Sequence, residues 1–269
     1  ERLALLSDIL FLDIETTGFL TGSSSIYLIG CAYYEDGNWK LRQWFAQTPD
    51  EESEILSAFL AFAEPYSYLI HYNGNTFDLP FLRKKADKYG ISYTLSSKKG
   101  LDIFRRITPY KNFLKLPDCK LKTIESFLGI HREDIYTGGQ LIQVYHDYTS
   151  SHDYDLYHTL ILHNADDMKG MLETLPILSY YDLFNCSIKA SKAQTNYYND
   201  MHGVPRKELI IRLIFVSPLP VAISFMGKGC HFKAEGYEGT LVIPIYEEEL
   251  KYYYCLLYTS PSPRDRSLS

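Results

Sequence analysis

The stretch Ile9 to Gly18, ILFLDIETTG, is apolar and β-prone up to Ile14 and then turns polar through Glu15, Thr16 and Thr17. Such a run predicts a central strand, with Asp13 and Glu15 at its end. Side chains two apart on a strand project from the same face, so these two carboxylates stand side by side. Their repulsion raises a pKa and costs stability unless a cation lies between them, and paired hard oxygen ligands suit Mg²⁺ or Mn²⁺. A solvated strand end is the plain alternative for an isolated Asp-x-Glu pair. The turn Thr16-Thr17-Gly18 offers backbone and hydroxyl groups to a phosphate.

Working outward, Ile26 to Tyr34 and Trp39 to Phe45 read as two further strands, joined across the hairpin signal Glu35-Asp36-Gly37-Asn38. A helix follows Pro49, with Ile55, Leu56, Phe59, Leu60 and Phe62 at helical spacing, and Tyr68 to Tyr72 returns to strand. The order βββαβ predicts an antiparallel opening with parallel additions. Phe77 to Tyr89 is expected as a helix closed by Gly90, Leu101 to Ile103 as a short strand, and Leu121 to Leu128 as a helix stopped by Gly129. Further helices are expected near Gly139 to Tyr148 and from Asp155 to Leu175. Beyond Asn185 the texture changes: Ser187 to Pro205 is polar, and Leu209 to Tyr246 is β-like but broken by Gly and Pro.

Two more clusters carry possible chemistry. In HYNGNTFDLPFL, residues 71–82, a strand runs through Asn73-Gly74 into Asp78 at a helix start. Asp78 is either a helix-dipole carboxylate or a functional acid. In HNADD, residues 163–167, His163 and Asp167 are four apart and share one helical face. This could be an ordinary surface pair; a zinc site is disfavoured because no cysteine or further histidine stands at ligand spacing.

In this order, the three segments resemble the DEDD superfamily of 3′→5′ exonucleases on the ribonuclease H-like fold, and most of all its YprB-type group. FLDIETTG, YNGNTFDLP and HNADD match the family's three motifs, and residues 119–135 match the linker between the second and third. The resemblance covers roughly residues 8–184. It implies an α/β fold with a mixed five-stranded sheet flanked by helices, and a two-metal hydrolysis with Asp13, Glu15, Asp78 and Asp167 as metal ligands. In such a mechanism two divalent ions about 4 Å apart hold the attacking water and the leaving oxygen in line. His163 is the candidate general base, at a spacing more usual for tyrosine in this superfamily. Asn73 and Thr16 are expected to contact substrate, and Asp102 is expected to be structural rather than an outer acid.

The chain has 269 residues, 46% hydrophobic and 22% charged, which excludes disorder, collagen and coiled coil. Its net charge of −6 is unevenly spread. Arg83 to Lys122 holds 12 basic residues against three acids, a local charge of +9 that leaves −15 elsewhere. Interleaved with Tyr89, Tyr93, Phe104, Tyr110 and Phe113, this tract is expected to attract a phosphate backbone and stack unpaired bases, with Arg105 and Arg106 as contacts. The expected partner is single-stranded DNA or RNA. The rivals are a non-cleaving binding module on the same fold and a nucleotide phosphohydrolase.

No apolar run is long enough for a membrane helix, no secretory signal is visible, and five scattered cysteines, never in a CxxC pair, fit a reducing cytoplasm. Because the chain opens on Glu1, sequence upstream is expected. The organisation expected is a nuclease domain over residues 1–185, a small β-rich appendage or partial second domain over 186–254, and a non-native tail over 255–269. Within that tail, CLLYTSPSPRD, residues 255–265, resembles a translated sequencing adapter.

Overall fold

A computed structural model describes residues 5–19, 24–131 and 138–246; the adapter-like segment lies outside them. Strand β1 (Ile9–Thr16) is flanked by β2 (Ile26–Glu35), which pairs with it antiparallel and continues into β3 (Asn38–Phe45). The hairpin turns at Asp36 and Gly37, whose φ values of 52° and 82° are both left-handed, the twist that two-residue hairpins need. Helix α1 (Glu52–Ala63) leads to β4 (Tyr68–His71), and α2 (Asp78–Tyr89) to β5 (Lys99–Asp102). Both strands add in parallel, giving the order β3-β2-β1-β4-β5. This is the mixed five-stranded ribonuclease H-like sheet expected from the sequence.

Alternation along β1 divides the core. Leu10, Leu12 and Ile14 pack with Leu56, Phe59 and Leu60 of α1 and Phe81 and Leu82 of α2. Phe11 faces the other way, toward α3 (Ile103–Ile107), α4 (Leu121–Phe127), α6 (Tyr154–Glu173) and α7 (Ser179–Asn185), through Ile103, Ile124, Met168 and Tyr180. Helix α5 (Gly138–Ser151) covers Tyr27, whose ring stacks on Tyr145 at 4.3 Å.

A second, three-stranded antiparallel sheet follows, β6 (Lys189–Asn199), β7 (Pro205–Gly227) and β8 (Cys230–Ile245), with β7 central. Phe215, Leu219 and Ala234 bury against the α7 side of the main core. The Tyr180 hydroxyl donates to Val221 O at 2.6 Å, and Ser217 donates to Asp182 at 2.8 Å.

Three elements differ from the sequence reading. Residues 189–199 form a strand although every side chain is exposed; an edge strand held by ladder bonds with nothing packed on its faces leaves no alternation to read. Ile103 starts a helix instead of ending a strand, because Asp102 caps it, accepting from Arg105 N at 3.2 Å. Helix α7 was not anticipated. No helix of the described residues is long and apolar enough to cross a membrane.

Candidate active site

The site forms where α6 crosses the end of β1. Helix α6 starts at Asp153, whose carboxylate accepts from Asp155 N and Leu156 N at 2.7 and 3.3 Å. Among its buried positions, Leu160, His163, Asn164, Met168 and Met171 recur at three- and four-residue spacing and make one stripe. The stripe is apolar at both ends and polar in the middle, and the polar part lies over Asp13 and Glu15. His163 Nε2 stands 3.7 Å from Glu15 Oε1 and 3.5 Å from Asp167 Oδ2. Glu15, His163 and Asp167 each offer a ligand atom within 4.8 Å of the others, an arrangement able to hold a metal ion. Asn164, fully buried, donates from Nδ2 to Asp13 Oδ2 at 2.9 Å.

Asp78 enters from the start of α2. Strand β4 stops at His71, opposite Leu12, so the Ile14 N–H lies beyond the last paired residue; Asp78 Oδ1 accepts it at 3.1 Å. The loop between them is set by Asp102, which accepts from Asn73 N at 3.0 Å and Asn75 N at 3.3 Å. Asn73 takes a left-handed φ of 60°. Gly74 approaches His71 so closely that a Cβ there would come within 2.7 Å of the ring, and its N–H donates to His71 Nδ1 at 3.1 Å. Burial lowers the His71 pKa, keeping it the neutral acceptor this bond requires. Asp102 is thus a structural acid.

The electrostatics follow from crowding. Burial raises the Asp13 carboxyl well above its usual range, and Asp78, Glu15 and Asp167 each raise it further, while the Asn164 amide works in the opposite direction. Burial pushes Asp78 up to about 7, against the lowering effect of its backbone hydrogen bonds. Tyr27, buried beside these acids, has its phenol pushed up by burial and then by Glu15 and Asp13, so it stays protonated.

The expected substrate contacts fare differently. Thr16 is buried and its hydroxyl donates to Gly18 O at 2.8 Å, so it shapes the turn. Arg105 is exposed, with Nε 4.0 Å from Asp102. Arg106 stacks over Tyr181 at 4.4 Å. The basic tract is not one continuous surface. Lys85 is buried, paired with Glu52 Oε1 at 2.9 Å, and Lys98 donates to Tyr66 O at 2.6 Å. Its aromatics also pack internally: Tyr110 stacks on Phe184 at 4.9 Å, Phe104 meets Tyr72, and Tyr89 donates to Glu52 at 2.5 Å. An aromatic ring serves packing and stacking equally well, and spacing in sequence does not tell the two apart. Of the neighbours that sequence reading missed, Asn164 sits inside HNADD, whereas Tyr27, and Gln43, which donates to the Asn164 side chain, carry no local signal.

A family model of the RNase_H superfamily matches residues 10–176, more than half of the chain. The chain belongs to the RNase_H superfamily. Among solved structures, the family B DNA polymerase of the hyperthermophilic archaeon Pyrobaculum calidifontis is similar with a TM-score of 0.51 at 17% identity, over 62% of this chain and 24% of the polymerase. E. coli exonuclease I in complex with a dA16 oligonucleotide gives a TM-score of 0.39 at 14% identity, over 78% of this chain and 55% of that one. The chain therefore spans about a quarter of the first and just over half of the second. The polymerase likeness shows a shared fold. No curated protein matches the chain significantly.

Proposed function

We propose that this chain is a metal-dependent 3′→5′ exonuclease of the DEDD type, close to the YprB group, that hydrolyses phosphodiester bonds of single-stranded DNA or RNA. One observation carries the reading: acids from three separate elements, Asp13 and Glu15 of β1, Asp78 of α2 and Asp167 of α6, converge at the end of β1, where Asp78 accepts from Ile14 N at 3.1 Å and His163 lies 3.7 Å from Glu15 and 3.5 Å from Asp167. A fold keeps acids so gathered only where something offsets their repulsion.

The acids offer hard carboxylate oxygens, which fit Mg²⁺ or Mn²⁺, and the His163 imidazole stands beside them. Asp13, Glu15, Asp78 and Asp167 would hold two such ions. Bound there, divalent ions supply positive charge against the charge that develops on the phosphate. His163 acts as general base: Nε2 accepts a proton from the attacking water, and the cation it becomes is met by Glu15 and Asp167 at 3.7 and 3.5 Å. The water oxygen bonds to phosphorus as the bond to the 3′ oxygen of the preceding nucleotide breaks. Arg105, exposed beside the Asn73 loop, together with Asn73, supplies contacts to the strand; Thr16 contributes through the turn it holds, and Arg106 flanks them. On this reading residues 1–185 are the nuclease domain, with 186–254 an attached element, and the free thiols of Cys31, Cys119, Cys186 and Cys230 fit work in the cytoplasm.

The test is digestion of 5′-labelled single-stranded DNA and RNA in Mn²⁺, Mg²⁺ or EDTA, with Asp13→Asn alongside. The expected result is a ladder shortening from the 3′ end, dependent on metal and lost in the variant. A folded protein that binds these strands and leaves them uncut with either metal is a binding module instead.

A further inference from the structure

The register of the main sheet places Asp13, Gly30 and Gln43 in one row across β1, β2 and β3. Cross-strand neighbours project from the same face, so Gly30 leaves a gap between two polar side chains. Asn164 descends from α6 into that gap. It donates from Nδ2 to Asp13 Oδ2 at 2.9 Å and accepts at Oδ1 from Gln43 Nε2, also at 2.9 Å. A Cβ at Gly30 would collide with Asn164 Oδ1, so the missing side chain is what admits the amide.

The direction of this relay is fixed from its far end. Gln43 Nε2 also donates to the Ile161 backbone carbonyl at 2.9 Å, and a carbonyl only accepts. Gln43 must therefore present nitrogen there, and the same nitrogen meets Asn164, which must present oxygen. Only its NH₂ remains for Asp13. The inverted amide would set oxygen against a carboxylate.

We propose that Asn164, locked by Gln43 over the Gly30 gap, is a positioning residue for Asp13. It holds one carboxylate oxygen by a neutral donor and so fixes the rotamer in which the group faces Glu15, Asp78 and Asp167. A lysine or arginine in this place would neutralise the acid and compete with a metal. This proposal rests on the metal-dependent reading above.

The test measures Mn²⁺ affinity of the full chain by titration calorimetry, oligonucleotide binding in EDTA, and kcat and KM, for wild type, Asn164→Ala, Gln43→Leu, Gln43→Glu and Gly30→Ala. Loss of a residue that orients a metal ligand costs about 10–100-fold in metal affinity or activity. Asn164→Ala is expected to show that loss in Mn²⁺ affinity and kcat, with KM and metal-free oligonucleotide binding unchanged. Gln43→Leu should move the same readouts by less. Gln43→Glu should move them by more than Gln43→Leu, because a carboxylate at 43 accepts from the amide and turns its oxygen toward Asp13. Gly30→Ala should behave like Asn164→Ala without altering the amide itself. If Asn164→Ala does not fold, Gln43→Leu decides. Affinity and kcat within twofold of wild type overturn the proposal, as does a uniform loss of melting temperature, oligonucleotide binding and activity together. Wild type that binds no Mn²⁺ defeats the metal-dependent reading and this proposal with it; wild type that binds Mn²⁺ but cuts nothing defeats only the nuclease reading.

Discussion

A single buried acid and a cluster of acids lie on opposite faces of the same sheet, and they are treated oppositely. On the α1–α2 face, Glu52 is fully buried but internally balanced: Lys85 pairs with it at 2.9 Å, Ile26 N donates to it at 2.7 Å and Tyr89 at 2.5 Å. On the α6 face, Asp13 meets a neutral amide and is pressed by three other carboxylates. The first is a structural clamp that ties α1, α2 and β2 together. The second stores repulsion that a divalent cation from outside would relieve. An acid that carries its own cation holds a fold together, whereas acids gathered on one another call for a ligand.

Breaking the clamp has the largest expected effect. Lys85→Met leaves Glu52 buried without its partner and should cost about 3–5 kcal/mol in urea unfolding, with activity per folded molecule retained. A cost below about 1 kcal/mol would show that the two faces do not differ as described. Asp13→Asn should do the reverse, lowering the cleavage rate by at least about 10²–10³-fold while raising the melting temperature in EDTA, since it removes repulsion. An Asp13→Asn protein less stable than wild type without metal would count against the stored-repulsion account.

The contrast also has a pH signature. Asp78 is pushed up to about 7 in the folded chain, whereas an unfolded aspartate titrates near roughly 4. A raised folded pKa means that the folded state binds the proton more tightly. Its stabilising contribution is complete below about pH 4 and is lost as pH rises toward about 7. The melting temperature in EDTA should therefore decline over that window. Mn²⁺ should restore more at pH 8 than at pH 5, because metal and proton compete for the same oxygens. Equal stabilisation at both values would refute this.

The smallest effects distinguish two adjacent arginines. Arg105→Ala should weaken single-strand binding and flatten its dependence on log salt by about 0.7, the loss of one phosphate contact. Arg106→Ala should leave that slope unchanged and cost about 0.5–1 kcal/mol of stability, through the lost stack on Tyr181. The opposite assignment would place the substrate track on the α7 side.

Much of this molecule follows from local pattern. The apolar run into Asp13 and Glu15, the Asp36-Gly37 turn and the four-residue step from His163 to Asp167 are each fixed by a few neighbouring residues, because strand alternation and helix period are short-range. Most strands and helices, and the face shared by Asp13 and Glu15, were legible for that reason, whereas the five-stranded sheet and the gathering of the four acids were expected from the resemblance of three motifs to a known superfamily. What only the tertiary structure decided depends on register and packing between distant segments. Gly30 and Gln43 are unremarkable in sequence, nothing in HNADD says that Asn164 meets Asp13, and Lys85 reads as part of a nucleic-acid track although Glu52, 33 residues away, lies beside it. Strand β6 left no pattern because its side chains face solvent on both sides. A side chain's chemistry is written in the sequence, but whether that chemistry meets solvent, a partner or a metal is set by what the fold brings against it.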